Sequence, residues 1–263
     1  MSLQLDTRQR AMLEEMGVRL FLPAQVPQPA AVAVAAQRGA PAAERQPAVA
    51  ARTPVPAAPA IVRAPVAEPA RPVPDGPGVE MLEWDALAQT VTACRACQLC
   101  DGRREPLLGA GDRQADWLIV GEPPNQDEDH AGEPFVGDGG KLLDNMLKAL
   151  GLARGDRVYL ANVIKCRPTG SGVPGADEVA QCERFLRRQV ELLQPKVVLA
   201  MGRLAVQTLL ASTEPLGKLR GRAHTYHGVP VIATYHPMYL LRNPADKARS
   251  WADLCLAQVV ARG

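Results

Sequence analysis

Six cysteines are the most chemically suggestive residues of this 263-residue chain, and five of them fall into two groups. Cys94, Cys97 and Cys100 follow one another at three-residue spacing, and Cys166 and Cys182 stand sixteen residues apart across a loop rich in Pro and Gly. Two thiolates three residues apart can bind one metal ion or one edge of an iron–sulfur cluster. Two more cysteines from a distant loop complete four ligands, so the spacing predicts a four-cysteine centre.

The spacing alone leaves both the metal and the ligand set open. A sixteen-residue second spacing is unusual for zinc and acceptable for a 4Fe–4S cluster, which is larger. The close pair is either Cys94 with Cys97 or Cys97 with Cys100. Cys255 lies inside an apolar stretch, and we expect it to be a small buried hydrophobic residue.

Three polar loops, each following an apolar segment, hold the other candidate residues. The first begins with Glu122 and Pro123 and ends at Phe135, an aromatic residue between Pro and Val-Gly that is suited to stacking on a planar ring. The second begins at Asn162, whose amide offers a donor and an acceptor side by side. The third carries His236, followed at once by a proline.

Alternating apolar and amphipathic segments predict the elements that position these loops. We expect strands at Trp117–Gly121, 158–163, 196–201 and 229–235, all rich in Val, Ile and Leu. We expect helices at 80–93, 139–150, 176–193, 203–211 and 246–261. The alternation predicts an α/β fold, a three-layer α/β/α sandwich with a central parallel four-stranded sheet. Ligands bind such sheets beyond the carboxyl ends of the strands, where the three loops lie.

The N-terminal third differs in composition from the rest of the chain. Residues 23–78 hold 13 of the 24 prolines and 18 alanines, with no Leu, Phe, Trp, Tyr or Cys. This stretch offers little large apolar surface to bury, so we expect a disordered Pro/Ala-rich linker. Residues 1–22 are predicted to form a short amphipathic helix that docks on a protein partner. Residues 79–263 are of a size suited to one folded domain.

Composition also excludes several classes of protein. No run of about 18 apolar residues lacks charge or proline, and the N-terminus has no apolar secretory region, so we expect an intracellular protein without a membrane span. The net charge is only +2, so a nucleic-acid binder would have to use a local basic face. Lys218, Arg220 and Arg222 form either such a strip or a solvated loop.

Four sequence blocks together resemble the family-4 iron–sulfur uracil-DNA glycosylases, in that family's order and over about residues 84–262. The blocks are Cys94-x-x-Cys97; Gly121-Glu122-x-Pro124 with Gly132-Glu133-Pro134-Phe135-Val136-Gly137; Asn162-x-x-Lys165-Cys166-Arg167-Pro168 with Cys182; and His236-Pro237-x-Tyr239-Leu240-Leu241-Arg242. The resemblance implies a 4Fe–4S cluster held by Cys94, Cys97, Cys166 and Cys182, with Cys100 and Cys255 left out. We expect the cluster to be structural, because base hydrolysis moves no electrons.

The resemblance also implies a pocket for a flipped-out uracil. Phe135 would stack on the ring, Asn162 would bind its O4 and N3 edge, and the main chain at Glu122–Pro123 would form another wall. His236 would donate a hydrogen bond to O2 of the leaving base.

Further roles implied by the resemblance concern water and DNA. Glu122 would orient the attacking water, with Asp127 and Glu128 as alternatives. Leu240 and Leu241 would enter the gap left in the base stack, and Arg242 would contact phosphate.

The expected activity is that of a monofunctional glycosylase, a monomer acting on uracil-containing DNA in the cytoplasm at the nucleoid. Two residues depart from the family pattern: Pro123 stands where Ala or Gly is usual, and Asn125 where Gly is usual. They support an alternative, in which a non-catalytic or differently specific iron–sulfur module binds damaged DNA and is tethered to a repair or replication partner. A glycosylase for another deaminated base is a third hypothesis, and a plain zinc-binding structural protein a fourth.

Overall fold

A computed structural model describes residues 78–169 and 173–262 of the chain. The predicted docking peptide, 1–22, and all but the last residue of the predicted linker, 23–78, lie outside the described residues. Of the predicted domain 79–263, the structure describes all residues except 170–172 and Gly263.

The central sheet has six strands in the order β1-β3-β2-β4-β6-β5. They are β1 Ala110–Gly111, β2 Trp117–Gly121, β3 Val158–Asn162, β4 Val197–Met201, β5 Ala223–Tyr226 and β6 Val229–Thr234. The four inner strands, β3, β2, β4 and β6, run parallel, which confirms the predicted central sheet. The two edge strands pair antiparallel and were not predicted, because β1 has only two residues and β5 is mostly polar and exposed.

The helices form the two outer layers. They are α1 Trp84–Ala93, α2 Gln126–Ala131, α3 Gly137–Ala149, α4 Ala176–Leu193, α5 Arg203–Leu209, α6 Leu216–Leu219, α7 Pro237–Arg242 and α8 Lys247–Arg262, with short 3-10 turns at Val79–Met81, Gln98–Asp101 and Pro244–Asp246. The five predicted helices are present, and the ends of α4 match the prediction. None of the helices in the described part has both the length and the apolar character of a membrane span.

Alternation along the buried strands produces two separate cores. Successive side chains of β2 point to opposite faces, so Leu118 joins the core under α1 and α4, whereas Ile119 joins the core under α3 and α8. Every residue of β2, β3 and β4 is buried. The sandwich of three layers follows from strands that are apolar on both faces, as predicted.

Candidate functional site

The parallel sheet brings the loops after β2 and β3 to the same edge. Gly121 and Asn162 are register partners at the ends of these strands. The Nδ2 group of Asn162 donates a hydrogen bond to the main-chain oxygen of Glu122 at 2.6 Å. Because a carbonyl can only accept, this contact fixes the orientation of the amide and assigns Oδ1 to its other side.

The Oδ1 atom of Asn162 is the unsatisfied group of this site. The residue is 1% exposed, and its Oδ1 has no hydrogen-bond partner among the described residues. A buried acceptor without a partner costs free energy in the folded protein, so such an atom needs an explanation. A ligand with an N–H group in the plane of the amide would satisfy it.

The ring of Phe135 packs directly against the end of β2. A Cβ on Gly121 would stand 2.5 Å from Cζ of Phe135, so the glycine makes room for the ring. Phe135 is 3% exposed, and its ring stacks on the imidazole of His236, with 5.4 Å between centroids and 17° between planes. The site thus places an aromatic face and an imidazole at the same strand edge as the Asn162 amide.

His236 is the N-cap residue of α7. Its Nδ1 accepts the main-chain N–H of Met238 at 3.3 Å, so a neutral imidazole carries its proton on Nε2. Burial is the main cause that lowers the pKa of His236; Arg242 lowers it further, and the nearby Glu122 opposes both. The neutral ring with an Nε2–H donor is therefore the form present at neutral pH.

The three predicted carboxylates have different surroundings. Glu128 is buried, and its two oxygens accept the main-chain N–H groups of Asn125 and Phe135. Burial raises the pKa of Glu128. Asp127 is exposed, whereas Glu122 is half-buried and accepts the N–H of Leu204 at 3.3 Å. Glu128 is committed to holding the loop, and Glu122 is the carboxylate beside His236.

Asn125 has a structural reason to replace the usual glycine. It is the N-cap of α2, with an extended φ of −86°, and Glu128 completes a capping box with it. The spacing of these two residues was a sequence signal for a short helix that the predicted elements lacked. Pro123 is half-buried between Glu122 and this cap and offers no N–H to the site.

The two leucines of α7 have opposite environments, which corrects one expectation. Leu240 is 0% exposed and belongs to the core under α3 and α8, so its place in the core conflicts with entry into DNA. Leu241 is 38% exposed, and Met238 and Arg242 on the same helix are also exposed. Leu241 is therefore the leucine that faces outward.

Arg220 does not belong to an exposed basic strip. Its guanidinium pairs with the buried Asp253 at 2.6 Å and lies over the ring of Tyr235, 5.0 Å from its centroid. It therefore supports the end of β6, next to His236. Lys218 and Arg222 are exposed, as either interpretation of the strip requires.

A cavity beside β3 is lined by five of the six cysteines. They are Cys94, Cys97, Cys100, Cys166 and Cys182, and Arg103 and Lys165 also contribute. All six cysteines lie in the described part, and no disulfide joins them. In that part no three or more His, Cys, Asp or Glu side chains are arranged so that together they could hold a single metal ion. Iron–sulfur clusters are held by four cysteine thiolates, and this cavity supplies at least that many, so the donor set fits such a cluster.

Nitrogen donors point at two of the cavity sulfurs. Nη1 of Arg103 lies 2.7 Å from Sγ of Cys166, and the main-chain N–H of Lys165 lies 3.2 Å from Sγ of Cys182. Burial raises the pKa of Cys166 to about 11 and that of Cys182 to about 12. Deprotonation of these thiols to thiolates therefore needs a nearby positive charge, which a metal centre would provide when bound.

Lys165 joins the cavity to the strand edge. Its ammonium group is buried and donates to the main-chain oxygen of Asn162 at 2.9 Å and to Gln189 Oε1 at 2.6 Å. These hydrogen bonds link the end of β3 to α4, so Lys165 is placed to hold the end of the strand in position. The contributions of Arg103 and Gln189 were missed in the sequence, since neither stands within a motif.

Comparison with known proteins gives a consistent result. A family model described as the uracil DNA glycosylase superfamily matches residues 108–258. A type-4 uracil-DNA glycosylase of Archaeoglobus fulgidus is 38% identical over 168 residues, which are 61% of this chain and 84% of that protein. One of Thermotoga maritima is 37% identical over 63% of this chain and 86% of its own length. A type-5 uracil-DNA glycosylase of Thermus thermophilus is 30% identical over 59% of this chain and 87% of its own length.

Proposed function

Since the chain belongs to the uracil-DNA glycosylase superfamily, we propose that it hydrolyses the N-glycosidic bond of uracil in DNA and leaves an abasic site. The observation that carries the proposal is the buried, unpaired Oδ1 of Asn162 beside the ring of Phe135. Uracil presents an N3–H donor that Oδ1 can accept. Cytosine presents an acceptor at N3, which would leave two lone pairs facing each other, so the site rejects it.

The base must leave the duplex before it can reach this site. Phe135 then stacks on the uracil ring, with the main chain at Glu122–Pro123 as another wall. Leu241, the exposed leucine of α7, fills the gap in the base stack, and Arg242 contacts phosphate.

Bond cleavage moves an electron pair from the C1′–N1 bond onto the uracil. His236 donates its Nε2–H to O2, where negative charge develops, and so stabilises the leaving anion. Glu122 orients the attacking water and stabilises the oxocarbenium-like sugar. The water adds to C1′ and loses a proton, which passes through Glu122 and solvent to the uracil anion. The products are therefore neutral free uracil and an abasic sugar.

We also assign a 4Fe–4S cluster to Cys94, Cys97, Cys166 and Cys182. A bound cluster would supply a structural cross-link and no redox step, because hydrolysis transfers no electrons. Through the cluster, these cysteines would tie the loop after Asn162 to the segment that follows α1 and to the first half of α4. Cys100 lines the same cavity and is left out of the proposed ligand set.

We propose that the partner of this activity is uracil-containing DNA and that the protein acts in the cytoplasm, at the nucleoid. A monomeric state and docking of residues 1–22 on a protein partner belong to the same proposal. The chemistry assigned above needs only residues of the domain 79–263.

The test removes the N3–H donor from the substrate rather than a residue from the enzyme. Single-turnover excision is measured on oligonucleotides that carry deoxyuridine, 3-methyldeoxyuridine or deoxycytidine at the same position. We expect breaks after alkali only with deoxyuridine, and Asn162→Ala should lose most of that activity. Equal excision of the 3-methyl base would refute the role of Oδ1, and no excision by a folded, DNA-binding protein would support the binding-module alternative.

A further inference from the structure

Phe135 has a backbone conformation that needs outside support. Its φ is +55°, in the left-handed region that residues with a Cβ rarely adopt. Its ring is nevertheless held against Gly121 and His236, where the proposed function needs a flat surface for the base. The surrounding contacts must therefore keep this residue in place.

One acidic and one basic side chain bind the main-chain N–H and the main-chain oxygen of Phe135. The carboxylate of Glu128 accepts its main-chain N–H. On the other side, Nη2 of Arg154 donates to its main-chain oxygen at 2.6 Å, and Nη1 donates to the oxygen of Pro134 at 3.2 Å. Nη2 also lies 3.3 Å from the oxygen of Gly140 in the first turn of α3.

The first turn of α3 is shaped to admit the Phe135 carbonyl. A Cβ on Gly140 would stand only 2.0 Å from the oxygen of Phe135. The close approach brings the Pro134, Phe135 and Gly140 carbonyls within reach of one guanidinium group.

Arg154 is itself anchored. Its Nε donates to the carboxylate of Asp144 on α3. The planar guanidinium group with five donors in a rigid fork matches several carbonyls at once, which a lysine ammonium group cannot do in the same geometry. Arg154 lies in the turn between α3 and β3, and no sequence pattern marks it, because it acts through main-chain atoms.

We propose that Arg154 is a positioning residue that holds the Phe135 ring in the plane required for stacking on uracil. The inference rests on the proposed function, because it assigns a support to that function's stacking residue. Without Arg154, the main-chain oxygen of Phe135 loses its hydrogen-bond donor, and the ring moves out of that plane.

The test is a double-mutant cycle with a matched control. Arg154→Ala, Arg154→Lys and Phe135→Ala are compared with Arg157→Ala, which removes a nearby arginine whose side chain is 57% exposed and 3.9 Å from Asp156. We expect Arg154→Ala to lower the single-turnover rate roughly tenfold, within the range of coupled neighbours. Arg154→Lys should recover part of this loss, and Arg157→Ala should leave the rate unchanged.

The decisive comparison is made in the Phe135→Ala background. If Arg154 acts through the ring, removing it there should cause little further loss, whereas a merely structural role would reduce the rate by the same factor in both backgrounds. Undiminished loss in the double variant, or equal rates for Arg154→Ala and Arg157→Ala, would overturn the inference. If Arg154→Ala does not fold, Asp144→Asn should give a smaller loss that also disappears with Phe135→Ala, and its persistence would count against the proposal.

Binding of free uracil, measured by calorimetry, separates this inference from the proposed function. Weaker binding by Arg154→Ala than by Arg157→Ala would support the positioning role even if the wild-type protein excised no uracil. Excision by the wild type with equal uracil binding by both variants would refute the positioning role alone.

Discussion

Replacing Gly121 with alanine should move the Phe135 ring and little else. The new Cβ would stand 2.5 Å from Cζ and 3.1 Å from both Cε atoms of the ring. Carbon atoms pack best at roughly 3.5 to 4.0 Å, so the ring must shift by about 1 Å. The backbone of Gly121 is an ordinary strand residue, so alanine adds no conformational strain there.

The size of the effect follows from that shift. Overpacking a core costs about 1 to 3 kcal/mol of stability. A misplacement of about 1 Å in an active site can lower the rate roughly 100-fold. We therefore expect Gly121→Ala to remain folded and to lose much more activity than stability.

The assay is single-turnover uracil excision beside a thermal melt. Gly217→Ala is the matched control, because a Cβ there meets nothing within 4 Å. It should leave both quantities unchanged. A Gly121→Ala protein with wild-type rate and wild-type melting temperature would refute the packing of Phe135 against the strand end.

Three other predictions test separate parts of the account. Cys166→Ser should lose its bound iron, its brown colour and its soluble fold together, whereas Cys100→Ser should keep its iron. An iron-free Cys166→Ser protein of full stability would contradict the structural role of the cluster. Leu240→Ala should destabilise the fold by about 2 to 5 kcal/mol. Leu241→Ala should keep the wild-type melting temperature, and relative to the wild type it should lose more of its excision rate on duplex than on single-stranded DNA. The opposite pattern would reverse the assignment of the two leucines. Because the pKa of His236 is lowered in the fold, the unfolded chain takes up the proton first as the pH falls below about 6.5, so the free energy of unfolding should decrease there by up to about 1.4 kcal/mol per pH unit. His236→Asn, which keeps a cap acceptor beside Glu122 and Arg242, should flatten this slope in denaturant titrations, and an unchanged slope would assign it to another group.

The elements that were predicted correctly share one physical property. Strand Trp117–Gly121 is apolar on both faces, and helix Ala176–Leu193 has a long amphipathic pattern, so each carries its own signal. The shared location of the three loops followed from the parallel sheet, because the carboxyl ends of its strands lie at one edge. Glu122, Phe135, Asn162 and His236 are found at that edge. The short helix α7 has six residues, too few for a periodic pattern to distinguish Leu240 from Leu241.

Other features of the site could not be predicted because they act through the main chain. The left-handed φ of Phe135 and the clamp formed by Arg154 depend on carbonyl positions that no residue pattern encodes. The sequence alone allows Arg220 to be a DNA contact, because its partner, the buried Asp253, lies far along the chain. The capping box of Asn125 and Glu128 is different, since its spacing was present in the sequence and predicts a helix start.

The most direct test of the central claim is excision by protein purified without air, with uracil-containing oligonucleotides cleaved by alkali and separated on a gel. Wild type is compared with Glu122→Ala and His236→Ala, the proposed water-orienting carboxylate and the donor to the leaving base. The account predicts strand breaks by the wild type that fall sharply in both variants. A brown, folded, DNA-binding wild-type protein that makes no breaks would contradict it.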